Sequence, residues 1–127
     1  MLTLYHAPRS RSSRIIRLLD ELDALDKVTV EIVTVPRQDG SGGPDDRNPH
    51  PEKKVPMLTD GESHIRESNA IIQYLCECFP AACMAPMPGE ARRGDYLGWM
   101  AYYGNVLEPL MMMGAMHVDH PLVHRTW

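Results

Sequence analysis

The sequence predicts a mixed α/β domain in the order β-α-β, an irregular segment, then β-β-α, with a linker and helices after it. Three observations carry this. Strand formers cluster in short stretches at Leu2-Thr3-Leu4-Tyr5 and Val28-Thr29-Val30-Glu31-Ile32-Val33. Between them, Ile15, Leu18, Leu19 and Leu22 recur at the spacing of one helix face. Further on, Asp60-Gly61 separates two more short stretches and signals a hairpin, so one strand pair is antiparallel.

Taken in order, the first strand ends at Pro8, and a helix is expected from Ser10 to Leu22, with Ser10, Ser12 and Ser13 as N-cap candidates. The second strand is β-branched at nearly every position. From Pro36 to about Lys54 the chain holds Gly40-Ser41-Gly42-Gly43-Pro44 and Asn48-Pro49-His50-Pro51, which no long regular element tolerates. Val55-Pro56-Met57-Leu58-Thr59 and Ser63-His64-Ile65-Arg66 form the hairpin strands. Glu67-Ser68 opens a second helix with the stripe Ile71, Tyr74, Leu75 and Cys78, stopped by Phe79-Pro80. Pro86 and Pro88, following Pro80, mark a linker from Ala81 to Gly89. A third helix begins near Glu90, with Tyr96, Trp99, Met100, Tyr103, Leu107, Leu110 and Met111 on one stripe. The β-α-β half requires a parallel pair and the hairpin an antiparallel one, so the four-stranded sheet is mixed, with helices expected on both faces.

Composition excludes several function classes. At 127 residues, 43% hydrophobic and 24% charged, the chain reads as about one soluble globular domain. No apolar run approaches the roughly 18 residues of a membrane span, and the N-terminus lacks the pattern of a signal peptide. A net charge of −4 argues against nucleic-acid binding. Cys76, Cys78 and Cys83 cannot all pair and suit free thiols in a reducing compartment, the cytoplasm. They lack zinc-site spacing and form no CxxC, so neither metal nor dithiol chemistry is expected. His117, His120 and His124, near the chain end, are read as unliganded, and Met111-Met112-Met113 as helix core.

Three segments together resemble the glutathione S-transferase family: Ala7-Pro8-Arg9-Ser10-Arg11-Ser12-Ser13-Arg14 after the first strand, Lys54-Val55-Pro56-Met57-Leu58 before the hairpin, and Glu67-Ser68-Asn69-Ala70-Ile71 opening the second helix. The resemblance implies a thioredoxin-like glutathione-binding domain over residues 1–78, a linker over 79–88, and the beginning of an all-α domain over 89–127. That second domain is normally far longer than the 39 residues that follow residue 88, so the chain is expected to stop inside it.

The same resemblance assigns roles. Ser10, with Ser12 as runner-up, donates a hydrogen bond to the sulfur of bound glutathione, the co-substrate. Tyr5 lies within a strand and ranks below both. Val55, before a cis Pro56, pairs with the cysteinyl part, and Lys54 (or Lys53) meets the glycyl carboxylate. Ser68 takes the γ-glutamyl carboxylate, and Glu67 faces its amine. From the residues alone, the serines read as helix caps, the lysines as solvated, and Glu67-Ser68 as an acidic first turn with a capping serine. One further feature stands out. Arg9, Arg11, Arg14 and Arg17 crowd the start of the first helix and Asp20, Glu21 and Asp23 its end, against the macrodipole. Surface pairing of Arg17 with Asp20 and Glu21 is one account, and a mouth kept positive for an anion is the other.

The implied function is transfer of glutathione to a hydrophobic electrophile by a homodimeric detoxification enzyme, without metal, nucleic acid or membrane. Glutathione-dependent isomerisation and disulfide reduction use the same fold. From another class, a non-catalytic protein-binding relative of the stringent-starvation type is the alternative.

Overall fold

The computed structural model describes residues 1–119 and 121. It divides into two compact units, Met1–Ala85 and Pro86–Trp127.

The first unit runs β1 (Leu2–His6), α1 (Ser13–Glu21), a 3₁₀ turn (Leu25–Lys27), β2 (Val28–Ile32), β3 (Met57–Asp60), β4 (Ser63–Ile65) and α2 (Ser68–Cys78). The sheet order is β2-β1-β3-β4. β1 pairs parallel with β2, from Leu2 opposite Val28 to His6 opposite Ile32. It pairs antiparallel with β3, from Leu2 opposite Asp60 to Tyr5 opposite Met57, and β3 pairs antiparallel with β4. The mixed sheet is therefore the one expected, and Gly61, at φ 58°, makes the hairpin turn between Asp60 and β4.

Alternation in β1 turns Leu2 and Leu4 to one face, where they join Val28 and Leu58 beneath Ile15 and Leu19 of α1 and Ile71, Leu75 and Cys76 of α2. Both helices thus share one face of the sheet, not opposite faces. A parallel β-α-β crossover puts α1 on one side, and the chain returns from β4 to the same side. The Gly- and Pro-rich stretch between β2 and β3 supplies no helix for the other face.

Other expectations shift in detail. α1 begins at Ser13, three residues later than Ser10, because residues 7–12 form turns. On α2 it is Cys76 that is buried, while Cys78 is exposed and Tyr74 is half-buried, its hydroxyl donating to Asp60 Oδ2 at 2.6 Å. All three cysteines are free thiols. Phe79, Ala82 and Ala85 pack against this core.

In the second unit, α3 (Arg93–Tyr102) starts after Glu90, whose carboxylate accepts from the Met87 N–H. The single helix expected to continue past Leu110 is interrupted by a π-helical turn, Tyr103–Leu107, before α4 (Glu108–Ala115). Pro109 explains it. Proline lacks an N–H, and its ring crowds the carbonyl four residues earlier, so the turn widens. The expected stripe is not buried as one face: Leu110 is buried, but Trp99 is 69% and Met111 48% exposed. Among the described residues no helix is long and apolar enough to cross a membrane. Of the three late histidines, His120 and His124 lie outside the described residues.

Candidate functional site

The register brings the three sequence segments to one end of the sheet. β1 ends at His6 and leads into the Ser10 loop. β3 is antiparallel to β1, so its first residue, Met57, lies opposite Tyr5, and Val55-Pro56 precede it at that same end. β4 is antiparallel to β3, so Ile65 lies opposite Leu58, and Glu67-Ser68 follow there too. β2 is parallel to β1, so the irregular segment after Ile32 also starts at this end.

The Ser10 loop is a compact polar knot. Ser12 is fully buried, and its Oγ lies 2.6 Å from His6 Nδ1 and 2.6 Å from Ser10 Oγ, and accepts from Ala7 N–H at 3.1 Å. Ser10, half-buried, donates from its Oγ to Ala7 O at 2.6 Å and accepts from Ser12 N–H at 3.2 Å. Ser12 occupies the N-cap position of α1 but makes no side-chain cap bond, because its hydroxyl is turned inward. Ser10 lies further back, in the turn. The expectation that these serines cap α1 therefore fails for both. Burial holds the His6 imidazole below its ordinary value of 6.5, so it is neutral at pH 7. A neutral Nδ1 either accepts the Ser12 proton or donates to Ser12 Oγ. Ser12 Oγ also reaches Ala7 O at 3.3 Å, and either serine can donate across the Ser10–Ser12 contact; the Ser10 proton has Ala7 O and Ser12 Oγ as its acceptors.

Sequence reasoning passed over His6. The signal was present, since His6 is two residues beyond Leu4 and so on the core-facing side of β1, where a titratable group needs a partner.

The second arm is built on Asn48, which is fully buried. Its Nδ2 donates to Lys54 O at 2.9 Å, and its Oδ1 accepts from His50 N–H at 3.0 Å. His50, also buried, accepts from Glu52 N–H at Nδ1, and burial lowers its pKa from 6.5. Lys53 donates to Asn48 O at 2.6 Å, so its ammonium is engaged internally. Lys54 is exposed and pairs with Glu52 at 3.1 Å. Pro56 is buried, Val55 half-buried, and the bond between them is cis.

In the third arm, Ser68 is the first residue of α2 and half-buried, while Glu67 is exposed. Neither side chain caps the helix, so the reading of Ser68 as a cap is also corrected; Glu67 O accepts the first helical bond, from Ile71 N–H.

A common feature runs through the three arms. Arg9 (φ 55°), Lys53 (φ 57°) and Glu67 (φ 73°) are non-glycine residues with left-handed backbone. Each immediately precedes a candidate residue: Ser10, Lys54 and Ser68. Such conformations cost about 1–3 kcal/mol each; Asp23, Cys83, Arg92 and His117 adopt them as well, away from the candidate residues. Arg17 forms no ion pair with Asp20 or Glu21 among the described residues, so that particular pairing does not account for the charge order of α1.

A mixed sheet of this order, with helices packed on one face and three polar arms at one end, defines the thioredoxin-like class. The profile of the glutathione S-transferase N-terminal domain matches residues 4–83. The chain belongs to the glutathione S-transferase family. It is 31% identical over 118 residues to glutathione S-transferase 3 of Schizosaccharomyces pombe, covering 93% of this chain and 46% of that protein. The crystal structure of an Actinobacillus pleuropneumoniae glutathione S-transferase superposes with a TM-score of 0.70 at 28% identity, over 88% of this chain and 52% of that one. A sphingomonad glutathione S-transferase complexed with glutathione shares the fold at a TM-score of 0.70 and 24% identity, over 87% of this chain and 54% of that one. The chain thus spans about half the length of these relatives.

Proposed function

We propose that this chain forms the glutathione-binding half of a glutathione transferase, with Ser10 stabilising the thiolate of bound glutathione for attack on a hydrophobic electrophile. The observation that supports this most is the place of Ser10 at the outer end of the His6–Ser12–Ser10 chain, with Ser12 buried behind it. Ser12, fully committed inside, becomes a positioning group and Ser10 the sulfur ligand.

A free thiol of pKa ~8.5 is only about 3% ionised at pH 7. Lowering it by ~2 units raises the thiolate to roughly three quarters, about 2.7 kcal/mol of differential stabilisation. A hydroxyl bonded to a charged sulfur supplies about 1.5–3 kcal/mol, and the positive helix start and its arginines add to it. The thiol proton is lost to solvent, and the Ser10 O–H, keeping its proton, turns from Ala7 O to donate a hydrogen bond to the thiolate sulfur. The sulfur lone pair then forms the new bond to carbon, while the leaving group departs with its electron pair or an activated ring opens. In this reading Val55 offers its backbone to the cysteinyl part, with Pro56 holding it, Lys54 meets the glycyl carboxylate, and Glu67 and Ser68 hold the γ-glutamyl end. The complete protein would act as a cytoplasmic homodimer in detoxification.

The test is the absorbance of enzyme-bound glutathione thiolate against pH. Ser10→Ala is expected to return the thiol pKa towards its free value and slow conjugation, with glutathione affinity nearly unchanged. The same pKa in variant and parent would remove Ser10 as the sulfur ligand. Failure of the parent chain to be retained by immobilised glutathione would favour the protein-binding alternative.

A further inference from the structure

The irregular stretch after β2 looks like mere connection in the sequence, yet it holds one contact that reaches back to the Ser10 loop. The Arg37 guanidinium donates from Nη1 to Arg9 O at 2.9 Å and from Nη2 to Pro8 O at 2.7 Å. These are the two carbonyls immediately before Ser10, and they are 28 and 29 residues distant in sequence. The left-handed backbone at Arg9 (φ 55°) is what lets consecutive carbonyls meet one guanidinium. The planar fork of arginine suits two acceptors at once, whereas a lysine ammonium is a point donor.

Arg37 is itself held firmly. It opens a turn closed on itself by Arg37 N–H to Ser41 O and Gly40 N–H to Arg37 O, both at 3.0 Å, with Ser41 also bonded to Asp39. Gly42 (φ +72°) lies so close to Val35 that a Cβ there would stand 2.1 Å from the Val35 carbonyl oxygen. Behind the turn, Asp45 accepts from Thr34 N–H, and Arg47 bridges Asp45 to Ile32 O at the end of β2. The segment is thus a brace from the sheet to the loop that carries the proposed sulfur ligand.

We propose that Arg37 is a positioning residue for the Ser10 loop, fixing the left-handed turn at Arg9 so that the Ser10 hydroxyl is held where it reaches the ligand sulfur. Its catalytic part rests on the glutathione reading above. The brace itself does not.

Two measurements on the full 127-residue chain separate them. In Arg37→Ala, amide hydrogen exchange at Ala7, Ser12 and Ser13, whose N–H groups bond within the knot, is expected to rise about tenfold or more, while β2 amides stay unchanged. The bound thiol pKa is expected to rise by about one unit, with glutathione affinity little altered. Arg37→Lys should recover only part of either effect. Unchanged exchange at the three amides in Arg37→Ala overturns the proposal, whatever the thiol does. Full rescue by lysine overturns the forked clamp. A parent chain that never lowers the glutathione pKa counts against the glutathione reading, and the exchange result still judges Arg37.

Discussion

The two compact units treat their apolar side chains in opposite ways. In residues 1–85, strands and helices bury Leu4, Ile15, Leu19, Leu58, Ile71 and Leu75 completely. In the second unit, Leu110 is the one buried apolar side chain among the described residues, and Leu97, Trp99, Tyr102, Val106, Met111 and Met116 are exposed. Trp99 and Tyr102 meet edge to face, ring centroids 5.9 Å apart, on an open helix surface. The difference shows where the stability of this chain resides. A sheet with two helices on one face closes a core of its own, whereas α3 and α4 bury Leu110 alone among their described apolar side chains. The candidate site belongs to the unit that closes, and its polar knot lies at the edge of that core.

The largest effect expected from this contrast is in the first unit. Leu58→Ala removes a fully buried side chain and should cost about 2–5 kcal/mol. Trp99→Ala in the second unit should stay within about 0.5 kcal/mol, since the residue is 69% exposed. Urea unfolding of both variants makes the comparison, and equal losses would break it. Such a cost is a large share of the ~5–15 kcal/mol total of a typical domain.

A middle-sized effect is expected at the knot. Ser12→Ala leaves the buried Ala7 N–H without its acceptor and should cost about 1–3 kcal/mol. It should also raise the bound-thiol pKa less than Ser10→Ala does, since Ser12 acts through Ser10. A stability loss near zero, or a larger thiol shift than that of Ser10→Ala, would reverse the roles given to the two serines.

The smallest effect is a pH dependence. His6 and His50 both titrate below their ordinary value of 6.5 because burial disfavours the charged ring. Between the lowered folded value and 6.5 the unfolded chain binds more protons, so stability rises with pH across that window. It is fully present above 6.5 and lost as acid protonates the unfolded state. Thermal melts at pH values through this window should show that rise, and His6→Gln should flatten it in part. A melting temperature that increases on acidification would contradict the neutral imidazole in the Ser10 chain.

Much of the first unit was legible because its signals are local. The β-branched run at Val28–Ile32, the helical spacing of Ile15, Leu19 and Leu22, and Asp60-Gly61 all determine backbone preference over a few residues. Together they specify element order and the mixed sheet, and the motif residues around Ser10, Val55-Pro56 and Glu67-Ser68 identified the family. Periodicity served less well where one residue reset it: Pro109 carries no N–H, and the turn before it opened into a π-helix that broke the stripe after Tyr103.

What the tertiary structure alone decided are side-chain partnerships, some between near neighbours and some across long sequence separations. A serine before a helix reads as a cap from its neighbours, but the Ser12 hydroxyl is drawn inward by His6 and Ala7, groups that only the packing of β1 against α1 brings within 3.1 Å. Arg37 lies in the irregular segment that begins at Pro36, and only the parallel pairing of β1 and β2 starts that segment at the same end of the sheet as the carbonyls of Pro8 and Arg9. Hydrophobic spacing and turn chemistry act through the chain and can be read along it. A hydroxyl or guanidinium chooses its partner through space, among groups the folded sheet has already gathered.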